Sequence, residues 1–392
     1  MFGIKKRTFY ILPLLADMLN AILDFVAPVW AVTEGRGVAF TGTLGTVAAT
    51  FRVLANLVLG RIMKPGNAHR LLRFGFAGMG LAIGFGALVN DPHWMFLIVM
   101  GMRISAACFF APYQIVMHSG KARPLGQTVA LYHIAWMIGY FPGPVLGGVL
   151  IRISRRLVHI VAALLAWVGY ELVGHAVAQD RAEGRDPATE TFDSADAQVR
   201  KRGRDFYIWI GWATFLVHGY TMGTVFYVFP KLAYQRGFSG FQIGMAESLC
   251  MVAMLAGVLF ALWSRWWLYN PTLTVLAGVG GASAVGVVAL THSYAPNIGG
   301  LLLLGVSSGS NCFVSTYYAN NHTDRAQGIS LNEAAVGTGS ILGSAVGALL
   351  GGGDNPTLTP YWVAMVIFLG LGVGAVAMHM WQLARVQRTD GK

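Results

Sequence analysis

The sequence has little charge: only 11% of its 392 residues are Asp, Glu, Lys or Arg, whereas 55% are hydrophobic. Soluble globular domains carry roughly 25% charged residues. Charge-poor stretches recur along the whole length, and about 20 apolar residues are enough for one helical crossing of a bilayer. A soluble helical protein would need a polar face on each helix, and most of these segments have none. The composition therefore predicts an all-α membrane protein.

Motifs for cofactor and metal chemistry are also missing from the sequence. It contains no G-x-x-x-x-G-K-[ST] phosphate loop, no C-x-x-C pair and no H-E-x-x-H zinc motif. The three cysteines, Cys108, Cys250 and Cys312, lie in apolar stretches and have neither metal-site nor redox spacing. We therefore expect no metal, no cofactor and no enzymatic activity, and nothing here predicts an ATP-driven pump.

Twelve apolar segments, here called spans 1 to 12, are divided by one long hydrophilic stretch at residues 180–204. This stretch cannot bury a core, so it is typical of a flexible linker. We predict about 12 transmembrane helices in two six-helix bundles, at residues 1–179 and 205–392. The predicted spans are 8–30, 40–60, 71–89, 93–116, 126–151, 157–178, 206–229, 240–262, 272–289, 298–319, 328–350 and 361–383.

The net charge of +11 falls mainly on one side of this topology. Lys and Arg in short loops mark the cytoplasmic side, and placing both termini in the cytoplasm puts most of the 28 basic residues there. The charge thus predicts a multi-pass protein of the inner (cytoplasmic) membrane, with the lipid bilayer rather than nucleic acid as its partner. The cluster Arg152, Arg155 and Arg156 breaks the rule.

The two halves repeat each other. Residues 127–135 (QTVALYHIA) align with residues 327–335 (QGISLNEAA) at an offset of 200, which pairs His133 with Glu333. The same offset pairs the glycines of spans 5 and 11, and the preceding spans match at an offset of 204. Two successive helices that each keep one register indicate a duplicated, pseudo-symmetric six-helix unit.

In span 5, the pattern Gly139-x-x-x-Gly143-Pro144-x-x-Gly147-Gly148 is similar to the fifth-helix glycine motif of the major facilitator superfamily (MFS). With twelve spans, a central linker and similar halves, the whole chain resembles that family. The resemblance implies a transporter with the MFS fold, and the motif is commoner among exporters. We expect these glycines to let span 5 approach a helix of the other half.

The loop between spans 2 and 3 departs from the family pattern. The family usually has G-x-x-x-D-R-x-G-R-R there, whereas residues 60–70 read GRIMKPGNAHR, without the aspartate. In the family this acid helps to hold the outward-facing state. Its absence leaves open how the protein gates its cavity.

Ionisable residues inside spans are costly and usually face an interior cavity. Asp17, Asn20 and Asp24 share one face of span 1, because they are three and four residues apart. Depth counted along the helices matches Asp17 to Arg52 and Asp24 to Arg103. We therefore predict two buried pairs that line the cavity; the alternative for one pair is a static brace between helices.

Three further groups are candidate proton carriers. His133 and Glu333 lie near the cytoplasmic ends of spans 5 and 11, and Glu247 lies in span 8. A histidine or a cavity carboxylate can exchange protons as the cavity opens to either side. The alternatives are a structural hydrogen bond for Glu333 and a packing role for His133.

Aromatic and amide residues offer a candidate substrate surface, since such groups stack on and hydrogen-bond an organic solute. The candidates are Trp136, His218, Tyr220, Asn311 and Tyr317.

Together these features predict a monomeric, proton-coupled secondary transporter of a small organic solute that works by alternating access, with export slightly favoured. Two alternatives remain: an exporter of an amphiphile such as a lipid or drug, and a transporter-like receptor or assembly factor.

Overall fold

A computed structural model describes residues 4–116, 125–182, 204–322, 324–350 and 358–390. Within these ranges the chain is helical, without strands. The α-helices are α1 (Ile4–Thr33), α2 (Val38–Ile62), α3 (Pro65–Phe85), α4 (Met95–Val116), α5 (Leu125–Tyr140), α6 (Pro142–Ile153), α7 (Arg155–Ala182), α8 (Arg204–Tyr227), α9 (Phe229–Gln235), α10 (Gly240–Trp263), α11 (Thr272–Leu290), α12 (Tyr294–Asn320), α13 (Arg325–Leu350) and α14 (Thr359–Asp390).

Twelve long helical segments correspond to the predicted spans. Span 5 consists of α5 and α6, which are separated at Phe141, just before Pro142. Ten segments in the described residues are long and apolar enough to cross a membrane. The other two, α3 and α8, have 21 and 24 residues, which is enough for a hydrocarbon core of about 30 Å. The predicted all-α membrane fold is confirmed, whereas most of the predicted linker, residues 183–203, lies outside the described residues.

The glycine motif of span 5 packs within its own half. A Cβ atom on Gly139 would overlap the main-chain oxygen of Leu14, and one on Gly143 would overlap Ala21. Both partners belong to α1, so the prediction that these glycines approach the other half is wrong. The motif brings two main chains together, as expected of glycines in lipid, but sequence spacing does not say which helix is the partner.

The corresponding glycines of α13 have corresponding neighbours. A Cβ atom on Gly339 would overlap the main-chain oxygen of Leu216, and one on Gly343 would overlap that of Tyr220, both on α8. Hence α13 packs on the first helix of its half in the same way that α5 and α6 pack on α1.

The two halves meet along α2 and α13, which we call the α2–α13 seam. A Cβ atom on Gly42 would overlap Ala348 near one end, and a Cβ atom on Gly337 would overlap Val53 in the middle. At the other end a Cβ atom on Gly60 would lie 3.0 Å from the Cβ of Ser330. Small residues therefore let the two helices touch along their whole length.

Arg155 belongs to the arginine cluster that does not follow the charge rule, and it forms hydrogen bonds with the segment after α3. Its guanidinium donates to the main-chain oxygen of Val89 at 2.8 Å and to the side-chain oxygen of Asn90 at 2.6 Å. It also lies over the ring of Trp30, 4.2 Å from the centroid. Its position is thus explained by local bonding, whereas Arg152 and Arg156 are exposed.

Candidate functional site

A cavity of about 930 Å³, part of it open to solvent, lies between the two halves. Helices α1, α2, α4 and α5 line it from one half, and α8, α10, α12 and α13 line it from the other. Most of the predicted site residues line this cavity, namely Asp17, Asn20, Asp24, Arg52, Arg103, His133, Trp136, His218 and Glu333.

Four predicted site residues, Tyr220, Glu247, Asn311 and Tyr317, are buried but do not line the cavity. The hydroxyl of Tyr220 donates to the main-chain oxygen of Pro360 at 3.2 Å. The ring of Tyr317 packs edge-on against Trp267, with centroids 5.4 Å apart. The structure thus places these four residues outside the lining. Polar residues lie on more than one face of α8 and α12, so the sequence does not indicate which face points inward.

One predicted ion pair is present and well supported. Arg103 forms an ion pair with Asp24 and donates to the side-chain oxygen of Asn20 at 3.0 Å. The hydroxyl of Tyr140 donates to the second oxygen of Asp24 at 3.1 Å. This cluster joins α1, α4 and α5 within one half, and its charges cancel.

The second predicted pair, between Asp17 and Arg52, is not formed. Arg52 instead donates to Glu333 of the other half at 2.6 Å, and the amide of Gln114 donates to the second Glu333 oxygen at 2.8 Å. Depth counting within one half could not predict this pair, because α13 packs directly along α2. The pair therefore links α2 and α13 across the cavity.

Asp17 is left with its carboxylate on the cavity and is 9% exposed. Among the described residues it has neither a hydrogen bond nor an ion pair. A carboxylate removed from water without a partner is costly. Asp17 is therefore a candidate group for taking a proton or a positively charged solute.

His133 is held in one tautomer by its neighbour. The indole nitrogen of Trp136 donates to Nδ1 of His133 at 2.7 Å. An indole N–H can only donate, so Nδ1 carries no proton and Nε2 carries the proton of the neutral ring. Nε2 is buried, with no partner in the described part of the chain. His133 thus keeps one buried N–H group without an acceptor in the described residues.

A polar network closes the cavity on the face of the bundle where α1 begins, here called the amino-terminal face. Arg325 donates to the main-chain oxygens of Gln114 and, at 3.4 Å, Ile115. It also donates to the side-chain oxygen of Asn320 at 2.8 Å, and Asn320 donates to the side-chain oxygen of Gln114 at 3.1 Å. On the opposite face the lining extends to Tyr227, the last residue of α8.

The sequence does not predict this network or part of the aromatic lining. Arg325 lies in the predicted loop before span 11, and the only signal for the network is that Gln114 and Asn320 are polar residues near the ends of spans 4 and 10. The missed aromatic residues at the cavity are Phe110, Tyr132, Tyr140, Phe215 and Tyr227.

Comparison with known proteins agrees with this architecture. The sequence model described as "Major Facilitator Superfamily" matches residues 9–324. The chain belongs to the major facilitator superfamily. Proteins named "Uncharacterized MFS-type transporter YcaD" from Escherichia coli O17:K52:H18 (strain UMN026 / ExPEC) and Shigella flexneri are 24% identical over 377 residues, which is 91% of this chain and 92% of each relative. The major facilitator family and these relatives identify a membrane transporter rather than an enzyme.

A solved structure has the same fold. The human organic anion transporter MFSD10 (TETRAN) matches with a TM-score of 0.67 and 15% sequence identity. The match covers 97% of this chain and 100% of that one. At this identity the likeness supports the MFS fold alone.

Proposed function

We propose that the protein is a proton-coupled secondary transporter that moves a small organic solute across the inner membrane by alternating access, with both termini in the cytoplasm. The observation that carries the proposal is the ion pair between Arg52 and Glu333, 2.6 Å long, which links the two halves beside the closed amino-terminal face. A pair at this place couples the charge of one carboxylate to the closure of the cavity.

The coupling follows from what a proton does to this pair. The Glu333 side chain is 4% exposed, and its two carboxylate oxygens accept hydrogen bonds from Arg52 and Gln114. A proton that enters from the opposite face neutralises Glu333 and removes its attraction for Arg52. The amino-terminal face then opens, the proton leaves on that side, and the pair re-forms when the face closes. This cycle brings protons in and favours solute export.

The moving parts are the two proposed bundles, residues 1–179 and 205–392, joined by the linker at 180–204. A single copy of the chain supplies every helix that lines the cavity, so we propose that the monomer is the working unit. The α2–α13 seam keeps the bundles in contact during the change.

The test uses purified protein in liposomes that contain a pH-sensitive dye. A transported solute is first found by thermal-shift screening of metabolite pools, and its uptake is then measured with and without an imposed pH gradient. We expect Glu333→Gln to abolish gradient-driven transport and to spare solute exchange. Glu171→Gln, at an exposed position on α7, is the matched control. Transport by the unaltered protein that ignores the gradient would remove proton coupling.

A further inference from the structure

We propose that the solute carried by this cavity is a monovalent organic cation with an aromatic or apolar body, and that Asp17 is its counter-ion. This inference rests on the proposed function, because it names the class of solute that the same cavity carries. It is carried by the balance of charges along the lining and by the environment of Asp17.

With all of its acids ionised, the lining carries three negative charges against the two positive charges of its arginines. Arg103 pairs with Asp24, and Arg52 pairs with Glu333. Asp17 is the remaining charged residue of the lining and has no partner in the described ranges. A neutral cavity would need one more positive charge.

Neither histidine of the lining has an acidic partner that would hold its protonated form. The indole of Trp136 occupies Nδ1 of His133, so protonating this ring at Nδ1 would break their hydrogen bond. Nδ1 of His218 is hydrogen-bonded to the hydroxyl of Ser308 at 2.6 Å, and its ring stacks on Phe215 at an interplanar angle of 9°. A second acid, Glu247, is buried in the neighbouring α10, outside the lining.

An organic cation would give the Asp17 carboxylate the positively charged partner that it lacks. Charge-assisted hydrogen bonds or direct ion contacts with a carboxylate are among the stronger polar interactions in proteins. An anion would instead have to draw Arg52 or Arg103 away from its carboxylate, which would leave a second buried acid without a partner. The charges of the lining therefore favour the binding of an organic cation over that of an anion of the same shape.

The rest of the lining fits the body of such a solute. Aromatic rings attract cations over their faces and also pack against apolar groups. The cavity has such rings on both halves, including Tyr132, Trp136 and Phe215.

The test compares three probes of nearly the same shape on the purified full-length chain. They are benzyltrimethylammonium, which has a permanent positive charge, its neutral isostere neopentylbenzene, and the anion phenylmethanesulfonate. Binding is measured by calorimetry at one pH. We expect the cation to bind roughly tenfold or more tightly than either of the other two. Equal binding, absent binding or tighter binding of the anion overturns the proposal.

The role of Asp17 is tested by substitution. Asp17→Asn should weaken benzyltrimethylammonium binding by roughly tenfold or more and leave neopentylbenzene unaffected, whereas Asp17→Glu should retain most of the affinity. Asp91→Asn is the matched control, because Asp91 is fully exposed before α4 and outside the cavity. Unchanged cation binding in Asp17→Asn overturns the assignment.

A second measurement avoids the variant altogether, in case Asp17→Asn does not fold. A hydrophobic carbodiimide modifies buried carboxyl groups, and mass spectrometry of the unaltered protein locates the adduct. We expect benzyltrimethylammonium, and not phenylmethanesulfonate, to protect Asp17 from modification. Modification of Asp17 that is the same with and without the cation contradicts the proposal.

These outcomes are separate from those that test transport. If the cation binds at Asp17 but transport ignores the pH gradient, proton coupling fails and the solute class stands. If gradient-driven transport depends on Glu333 but the anion probe binds best, the coupling stands and the solute class fails.

Discussion

Arg325, the first residue of α13, donates a hydrogen bond to the main-chain oxygen of Gln114 near the carboxyl end of α4, in the other half. The last carbonyl groups of a helix lack partners within the helix and carry a partial negative charge. A guanidinium from the other half therefore both caps α4 and closes the amino-terminal face. The Arg325 contact thus holds this face closed in a protein whose loop at residues 60–70 lacks the aspartate that is usual in the family.

Replacing Arg325 should open this face. Hydrogen bonds from a charged donor contribute about 1.5–3 kcal/mol, so Arg325→Gln should shift the closed-to-open ratio by roughly tenfold or more. Spin labels at Lys64 and Trp263, both exposed on this face, would report a larger population of long distances by pulsed electron resonance. The native cysteines are buried and do not compete for the label. Arg61→Gln, exposed on the same face, should leave the distances unchanged; an equal effect in both variants would refute the capping role.

A methyl group at Gly139 should destabilise the protein. Its Cβ would overlap the main-chain oxygen of Leu14, which cannot move without shifting α1. Overpacking of this kind costs about 1–3 kcal/mol, so Gly139→Ala should lower the thermal unfolding temperature in detergent. Gly374→Ala, where a Cβ meets nothing within 4 Å, is the control. Equal unfolding temperatures of the two variants would show that the close approach of Gly139 to α1 does not contribute to stability.

Removing the indole donor should remove the preference of His133 for one tautomer. Trp136→Phe keeps an aromatic ring but cannot donate to Nδ1, so the fixed Nε2–H form should give way to a mixture. Nitrogen-15 NMR of histidine-labelled protein distinguishes the two forms, and His133→Gln identifies the resonances. A single Nε2–H form that persists in Trp136→Phe would mean that something other than Trp136 selects it.

Within the arginine cluster, only Arg155 should matter for stability. Arg155→Ala removes hydrogen bonds to Val89 and Asn90 and the contact with Trp30, at an expected cost of about 1–3 kcal/mol. The exposed neighbours provide matched controls, because Arg152→Ala and Arg156→Ala break no such bonds. Thermal unfolding of the three variants compares them directly; the prediction fails if Arg155→Ala melts with the controls.

The sequence was sufficient to predict the number and order of the long helices, because mainly apolar segments of about 20 residues recur between polar loops. It also predicted the pair Asp24–Arg103, whose members belong to one half and match in depth. It did not predict the pair Arg52–Glu333, because that contact depends on how two halves with a duplicated pattern are placed against each other.

Helix rotation was the second thing that the sequence could not supply. Asp17, Asn20 and Asp24 are three polar groups on one face, which fixes the rotation of α1, and all three line the cavity. Tyr220 and Tyr317 lie in spans whose polar residues are spread over more than one face, so no periodicity indicates their direction. The sequence likewise does not indicate that Gly139 packs against α1 rather than against the other half.

The α2–α13 seam has a mechanical consequence. At Gly42, Gly60 and Gly337 the partner presents only alanine, serine or valine, so at these points no long side chain is lodged between the two helices. In the proposed rocking motion, the two bundles would therefore pivot about the α2–α13 seam without first separating there. The Arg52–Glu333 pair and the Arg325 hydrogen bonds would then set the angle at which this pivoting stops.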